Sequence, residues 1–396
     1  MDSNVSNHYE CEIKVLSPVH IGAGESYTLR ECISVPTKSG KKLLKRIDLS
    51  AYYASLPNDR DKEKFLDELI KEDFSLIRFH NTLLEQEEKN NQFLKEENQR
   101  HEYADINSFL RYRGYDHKFQ HQLDIFENVK TVDEVFIPGS SLKGAIRTAL
   151  LYNSIDDDDI SNYIKWNNRR KQDELDSNKL DKFLNGFFSE DKRNVGLSDD
   201  LKYLHVSDSN TFAFSTFYQA NQIRVAYAED GTCKGIEDGT KSFLETISFE
   251  DFVKTKSLTS NIDIEYNKDI IDKSKEKYLD IDYIKKSIYE FSKRLIEFEL
   301  DFAIKFDLQY LIDFYIKMET YNTEDTPLLR IGAGSGLMGT SLALKIWDYD
   351  PNVFRVLFKK TDGSVYPRTR RLVISQEKPE VEGVPLGWVQ LDIKES

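Results

Sequence analysis

Between Ile281 and Phe302 seven apolar residues recur at steps of three and four: Ile281, Ile284, Ile288, Phe291, Leu295, Phe298 and Phe302. Only a helix gathers that spacing onto one side, so the chain must turn one face of a long helix toward a core or a partner. Packing on the chain's own core is the simpler reading, since no flanking cap is legible; a partner-binding coiled coil is the alternative. Both ends of the sequence follow the other period. Cys11, Ile13 and Val15 alternate with Glu10, Glu12 and Lys14, and Val389, Leu391 and Ile393 alternate within Trp388 to Ile393, as half-buried strands do. Val353 to Phe358 and Arg371 to Ile374 read as further strands, and a strand-rich stretch opens near Leu204. Strands at both ends with helical segments between them predict an α+β protein.

Two polar stretches interrupt this pattern, about 60–125 and 150–195, and both read as helical insertions. A flexible acidic loop is the alternative for the part around Glu87 to Gln99. The length, 396 residues, accommodates two or three domains. No apolar stretch reaches the length of a membrane span, and the polar segment Met1 to Glu10 has no signal-peptide core, so the expectation is a cytoplasmic protein without a membrane partner. Cys11, Cys32 and Cys233 form no CxxC pair, which argues against a disulfide framework or a structural zinc site. The formal net charge of −14 argues against indiscriminate binding of nucleic acid, but the charge is segregated. Leu151 to Asp200 holds 12 acidic and eight basic residues, a net of −4, including the run Asp156 to Asp159. Pro351 to Ser375 holds six basic residues and one acid, Asp362, a net of +5. A basic strip on an acidic body can still hold a phosphate backbone.

The most specific local signal is an echo. Ile21-Gly22-Ala23-Gly24 returns as Ile331-Gly332-Ala333-Gly334, after His20 in one copy and Arg330 in the other, each behind a short apolar segment. Such glycines let a backbone approach a ligand closely, and their N–H groups can form an anion nest. Two RNA-backbone loops and two packing turns fit the spacing equally. The segment Pro138 to Arg147 predicts a helix beginning near Leu142, with Ser140 or Ser141 as N-cap. Free N–H groups, the two hydroxyls, and Lys143 and Arg147 four apart on one face would all suit phosphate, and Gly144 would allow close approach. Arg368, Arg370 and Arg371 beside Tyr366 make a basic-aromatic cluster, readable as an RNA contact or as a charged strand edge.

Other chemistries are weaker. Gly334 to Gly339 fits G-x-G-x-x-G, yet only 62 residues follow Gly334 and no acidic residue stands where a ribose would need one. A P-loop would need lysine at Thr340. His20 could act as the base of a metal-independent endoribonuclease, with Lys143 steadying phosphate charge, although no second histidine is close in sequence. His117 and His121 have metal-ligand spacing on a helix but only Asp116 and Asp124 as neighbours. Asp208, between Ser207 and Ser209, reads as a turn or cap residue, and Asp199-Asp200 has no supporting ligands. The expectation is therefore no catalytic residue, no metal and no cofactor.

Four blocks together carry a resemblance: LSPVHIGAGE at 16–25, IPGSSLKGAIRTAL at 137–150, LHVSDS at 204–209 and LLRIGAGSGLMGTSL at 328–342. The set resembles the RAMP superfamily of CRISPR proteins and, more narrowly, is similar to the Csm-type subunit that caps type III-A interference complexes near the crRNA 3′ end. The resemblance implies two ferredoxin-like (RRM-like) domains, here 1–215 with its two insertions and 216–396 with a helical segment at about 250–325. It implies crRNA binding without turnover, a part in 3′-end maturation and antiviral defence, and assembly with the backbone RAMP subunits of a Csm complex. Nucleases of the host that trim the guide are a further expected partner. Carried over by position, the RNA-binding residues are His20, Gly22, Gly24, Ser140, Ser141, Lys143, Arg147, Gly332, Gly334, Ser335 and Gly336, to which the cluster Arg368, Arg370 and Arg371 is added. The aromatic motif of an ordinary RRM is not evident, which leaves base stacking on the sheet without a basis.

Overall fold

The computed structural model describes residues 4–36, 42–94, 103–116, 124–162, 164–167, 172–175, 187, 199–211, 214–227, 233–247, 258–273, 275–357, 367–374 and 383–396. Its centre is a five-stranded antiparallel sheet around β1 (Asn4–Val15). β14 (Leu258–Asn267) lies on one side of β1 and β18 (Trp388–Glu395) on the other, with β11 (Leu204–Val206) and β15 (Leu328–Arg330) at the edges. The inward residues Cys11, Ile13, Val15, Ile262, Ile264, Leu391 and Ile393 join one core with α4 (Gly139–Ser154) and α6 (Ile281–Lys305). In chain order β1, α4, β11, β14, α6 and β18 make a βαββαβ unit with strand order β11-β14-β1-β18.

The apolar stripe read from the sequence is this α6. Ile284, Ile288, Phe291, Leu295, Phe298 and Phe302 are buried against the chain's own sheet and α4, not held for a partner. Each such side chain contributes roughly 1.5–3 kcal/mol by leaving water. Asp280 caps the helix, its Oδ1 accepting from Tyr283 N at 2.8 Å. α7 (Gln309–Tyr321) packs against it, and Tyr315 meets Trp388 of β18 edge-on.

A nine-stranded sheet stands beside the first. It runs β2 (Gly22–Tyr27), β6 (Ile125–Asn128), β13 (Cys233–Thr246), β12 (Phe214–Tyr227), β5 (Leu110–Asp116), β4 (Lys42–Ile47) and β3 (Cys32–Pro36). β16 (Thr369–Ile374) branches from β12 and carries β17 (Gly383–Pro385). A satellite core under β3 and β4 is built by α1 (Leu49–Ser55), α2 (Asp59–Leu69) and α3 (Leu76–Leu94), with Tyr52, Phe65, Phe79 and Leu83 packed together. Two hairpins complete the strands, β7–β8 (Lys130–Thr131 and Glu134–Val135) and β9–β10 (Ile164–Asn167 and Gln172–Leu175). Both sheets draw strands from the first and second halves of the chain.

Four local expectations change. Among its described residues the first insertion is α-helical up to Leu94, and Leu110–Asp116 is a strand, paired on both edges. In the second, α5 (Asp157–Ser161), capped by Asp156, gives way to the β9–β10 hairpin. Val353 to Leu357 belongs to a helix (Pro351–Leu357), because Asp350 and Pro351 form a helix start: proline stands first and Asp350 Oδ1 accepts from Asn352 N at 2.7 Å. At α4 neither Ser140 nor Ser141 is the cap; Pro138 occupies that position without a side-chain bond. His117, His121, Tyr366 and Glu97 to Gln99 lie outside the described residues. Among the described residues no helix is long and apolar enough to cross a membrane.

Candidate nucleic-acid interface

β1 and β15 are each antiparallel to β18, so they run the same way and both Ile-Gly-Ala-Gly copies leave the sheet at one end. There the copies touch. Ala333 N donates to His20 O at 2.7 Å. Gly332 has φ +69°, and a Cβ on it would lie 2.3 Å from that same carbonyl oxygen. Gly387, at φ +91°, knits the pair from β18's side: its N donates to Pro18 O at 2.9 Å, and its O accepts from Ile331 N at 2.8 Å. The second copy is a loop, whereas the first runs straight into β2. Its backbone is fixed by Asn128, whose Oδ1 accepts from Ile21 N at 2.7 Å, and by Val129 N on Ile21 O at 2.8 Å.

Beneath the first copy lies a charged hub. Glu245 of β13 is fully buried and accepts from Tyr27 Oη, from Asn128 N at 2.9 Å and from Lys130 Nζ at 2.9 Å. Burial raises its pKa above the ordinary carboxylate value, and Lys130 with the hydrogen bonds works against that rise. Arg46 stacks on Tyr27 at 4.0 Å and pairs with Glu31 at 3.1 Å and Glu127 at 3.0 Å. His20 is also interior, and its Nδ1 donates to Glu245 O at 2.7 Å, which leaves Nε2 as an acceptor turned toward Gly22. Burial and the nearby Arg371 charge lower the His20 pKa, while the bond to Glu245 opposes the shift.

The third motif joins them. Asp208 Oδ1 accepts from Gly139 N at 2.8 Å, so a loop distant in sequence caps α4. Gly139 is obligatory for this docking, since a Cβ there would sit 2.0 Å from Val206 O. α8 (Gly336–Thr340), which follows the second glycine loop, packs against α4. The second glycine loop is thus joined through α8 to α4.

The residues read from the sequence divide in two. Gly22, Gly24, Ser140, Gly332, Gly336 and Arg371 are exposed, and Ser141, Lys143, Arg147, Gly334 and Arg368 are half-buried. His20, Ser335 and Arg370 are interior. Ser335 Oγ donates to Gly332 O at 2.9 Å and shapes the loop. Arg370 lies over the Phe302 ring at 3.9 Å and pairs with Glu299 of α6, which also meets Arg330 at 3.7 Å. The Arg368–Arg371 cluster thus alternates as a strand must, with Arg370 inward and Arg371 outward. The cations of α4 are partly engaged, Lys143 Nζ on Leu204 O at 2.8 Å and Arg147 with Asp199 at 2.6 Å. Burial lowers the Lys143 pKa.

A family model of the RAMP superfamily matches residues 12–338. The chain belongs to the RAMP superfamily. It is 25% identical over 425 aligned residues to the CRISPR system Cms protein Csm5 of Methanocaldococcus jannaschii, covering 98% of this chain and 89% of that protein. Two solved structures share its fold. One is a chain of a Csm-crRNA-target RNA ternary complex of a type III-A CRISPR-Cas system, with TM-score 0.58, 19% identity and coverage of 98% of this chain and 100% of that one. The other is the crystal structure of T. onnurineus Csm5, with TM-score 0.51, 19% identity and coverage of 95% and 99%. The resemblance read from the four blocks is borne out at the level of the superfamily.

Several residues that build this RAMP surface escaped the sequence reading. Asn128, Glu245 and Gly387 sit in stretches with no motif around them. Glu299 left a trace, an acid four residues after Leu295 on the buried side of α6. Among the described residues no group of three or more His, Cys, Asp or Glu gathers into a metal site.

Proposed function

We propose that the chain is a structural crRNA-binding subunit of a type III-A (Csm) CRISPR complex, acting in the cytoplasm without turnover. The observation that carries this reading is the direct contact of the two Ile-Gly-Ala-Gly copies, with α8 joining the second of them to α4. Phosphates of the guide would run over the exposed backbone of Gly22, Gly24, Gly332 and Gly336, with Ser140 and Ser141 at the helix N-terminus. Arg371, Arg368, Lys143 and Arg147 would supply cations at the margin. His20, Gly334, Ser335 and Arg370 would act from below by holding the loops. The likeness to a Csm5 protein along nearly the whole chain supports placement at the 3′ region of the guide, a need for the subunit in 3′-end maturation and complex assembly, and contact with backbone RAMP subunits. Trimming would fall to a nuclease from elsewhere. The βαββαβ unit with order β11-β14-β1-β18 supports a ferredoxin-like domain, and the nine-stranded sheet is proposed as the second.

The test is RNA binding by the purified chain across a salt series, with the RNA recovered on a denaturing gel. Affinity that falls with salt and intact RNA are expected; Arg371→Glu should reduce the salt slope by about one. Discrete cleavage abolished by His20→Ala would overturn the reading in favour of a ribonuclease. Absence of the chain from a complex reconstituted with crRNA and the backbone subunits would overturn it altogether.

A further inference from the structure

Among the described side chains Phe126 of β6 is the one exposed aromatic, 46% open to solvent. Exposure alone means little for an apolar residue; its neighbours on the sheet give it meaning. Paired residues of adjacent strands point to the same side of a sheet. Phe126 pairs with Ser26 of β2 and Leu244 of β13, so its ring stands on their side. Ser26 lies two residues beyond Gly24, in the strand that carries the first glycine copy. Leu244 packs with Val373 of β16 and with Leu386. Leu386 in turn lies against the second copy, where a Cβ on Gly334 would stand 2.9 Å from its own. Arg371, two residues before Val373 in β16, shares that face and is exposed, and its charge reaches His20. One side of the nine-stranded sheet therefore links the ring to both glycine copies and to a cation.

The acids nearest the ring in these strands, Glu127 and Glu245, turn to the other side, where Arg46 and Lys130 meet them. Asn128, two residues along β6 on the side of Phe126, is fully buried. Its Oδ1 holds Ile21 N, and among the described residues its Nδ2 has no acceptor. A buried donor in that state is costly, and an oxygen of a bound ligand beside Gly22, the register partner of Asn128, would relieve it. A Cβ on Gly24 would meet nothing within 4 Å, so the backbone there is open to approach. An exposed ring, an unengaged donor, open glycine backbone and a cation together suit a single-stranded nucleic acid, whose bases stack on aromatics while its phosphates follow positive charge. An apolar protein segment would use the ring and leave the donor and the cation without a role.

We propose that Phe126 is a stacking platform for one base of the guide, turned off the glycine loops as the phosphates pass toward Arg371. The proposal rests on the reading of the chain as a crRNA-binding subunit and adds to it a point at which the RNA is held by its base. Every base has a π-face, so the contact is tolerant of sequence. Phe126→Tyr keeps the ring; Phe126→Leu keeps apolar bulk without it and so guards against loss of the fold.

The experiment measures binding of single-stranded RNAs, each carrying 2-aminopurine at one of successive positions, to wild type, Phe126→Tyr, Phe126→Leu and Phe126→Ala. Each chain is measured alone and in a complex reconstituted with the backbone subunits. Phe126→Leu and Phe126→Ala are expected to bind about 5- to 100-fold more weakly, and Phe126→Tyr within about twofold of wild type. The salt slope should stay unchanged, because no phosphate contact is removed. Wild type should quench 2-aminopurine at one position, and Phe126→Leu should not. Equal affinity and equal quenching by wild type and Phe126→Leu would overturn the stacking role and leave the functional reading intact. Full RNA affinity with impaired entry of Phe126→Leu into the complex would also overturn it, by assigning the ring to a protein partner. Wild type that binds RNA neither alone nor in the complex would overturn the functional reading and this inference with it.

Discussion

Gly332 and Gly336 form a matched pair. Their φ angles are +69° and +68°, and alanine at either costs about 1–2 kcal/mol in left-handed backbone. Their surroundings differ. A Cβ on Gly336 meets nothing within 4 Å, whereas on Gly332 it would lie 2.3 Å from His20 O. The loops must then part, which breaks the Ala333 N–His20 O bond of 2.7 Å. Overpacking of this kind costs about 1–3 kcal/mol, and the lost hydrogen bond a further ~0.5–1.5 kcal/mol. Gly332→Ala should therefore be less stable than Gly336→Ala by about 2–4 kcal/mol. Urea melts of the two variants test this, read as a difference in midpoint at constant slope. Two variants within about 0.5 kcal/mol of each other, near the uncertainty of such comparisons, would refute the idea that the glycine copies are locked face to face.

Three more expectations follow from the same geometry. Asp208→Ala removes the cap from α4 and should cost about 0.5–2 kcal/mol, with Asp208→Asn retaining most of it in the same melts. Glu299→Ala strands Arg330 and Arg370 in the interior and should cost about 3–5 kcal/mol, whereas Glu297→Ala, half-exposed two residues earlier in α6, should cost under 1 kcal/mol. Burial holds the His20 pKa below its unfolded value, so the unfolded chain binds the extra proton first and stability falls as pH drops below about 6.5. His20→Asn, which can keep a donor to Glu245 O, should flatten the stability profile below that pH, and an unchanged profile would show that His20 does not titrate as described.

How much was legible depended on whether the information was local. The α6 stripe and the alternation of β1 and β18 each lie in a short window and stand as read, whereas of the two glycine copies only the second is a loop, the first running into β2. Val353 to Leu357 did not, because a brief apolar run suits a buried helix and a buried strand alike; the Asp350-Pro351 start signal decided it. Leu110–Asp116 is polar in composition and becomes a strand through its partners β4 and β12. Of the surface, the motifs named the segments but not which way each side chain turns. Arg370 and Arg371 are adjacent in sequence and opposite in role, since a strand sends neighbours to opposite faces. Glu245 and Asn128 were invisible because their importance is relational: they matter for what folds onto them.

The pairing of β1 with β18 also sets a schedule. On the ribosome β1 is made early and β18 373 positions later, counting from Val15 to Trp388. At about 5–20 residues per second that is a wait of roughly 20–75 s. Until residues 387–395 emerge, Pro18 and Ile331 lack the bridge supplied by Gly387, and one edge of β1 stays open. The proposed RNA-binding surface is thus among the last things the nascent protein completes, so a stalled or clipped product would display an unpaired strand without the finished loop pair.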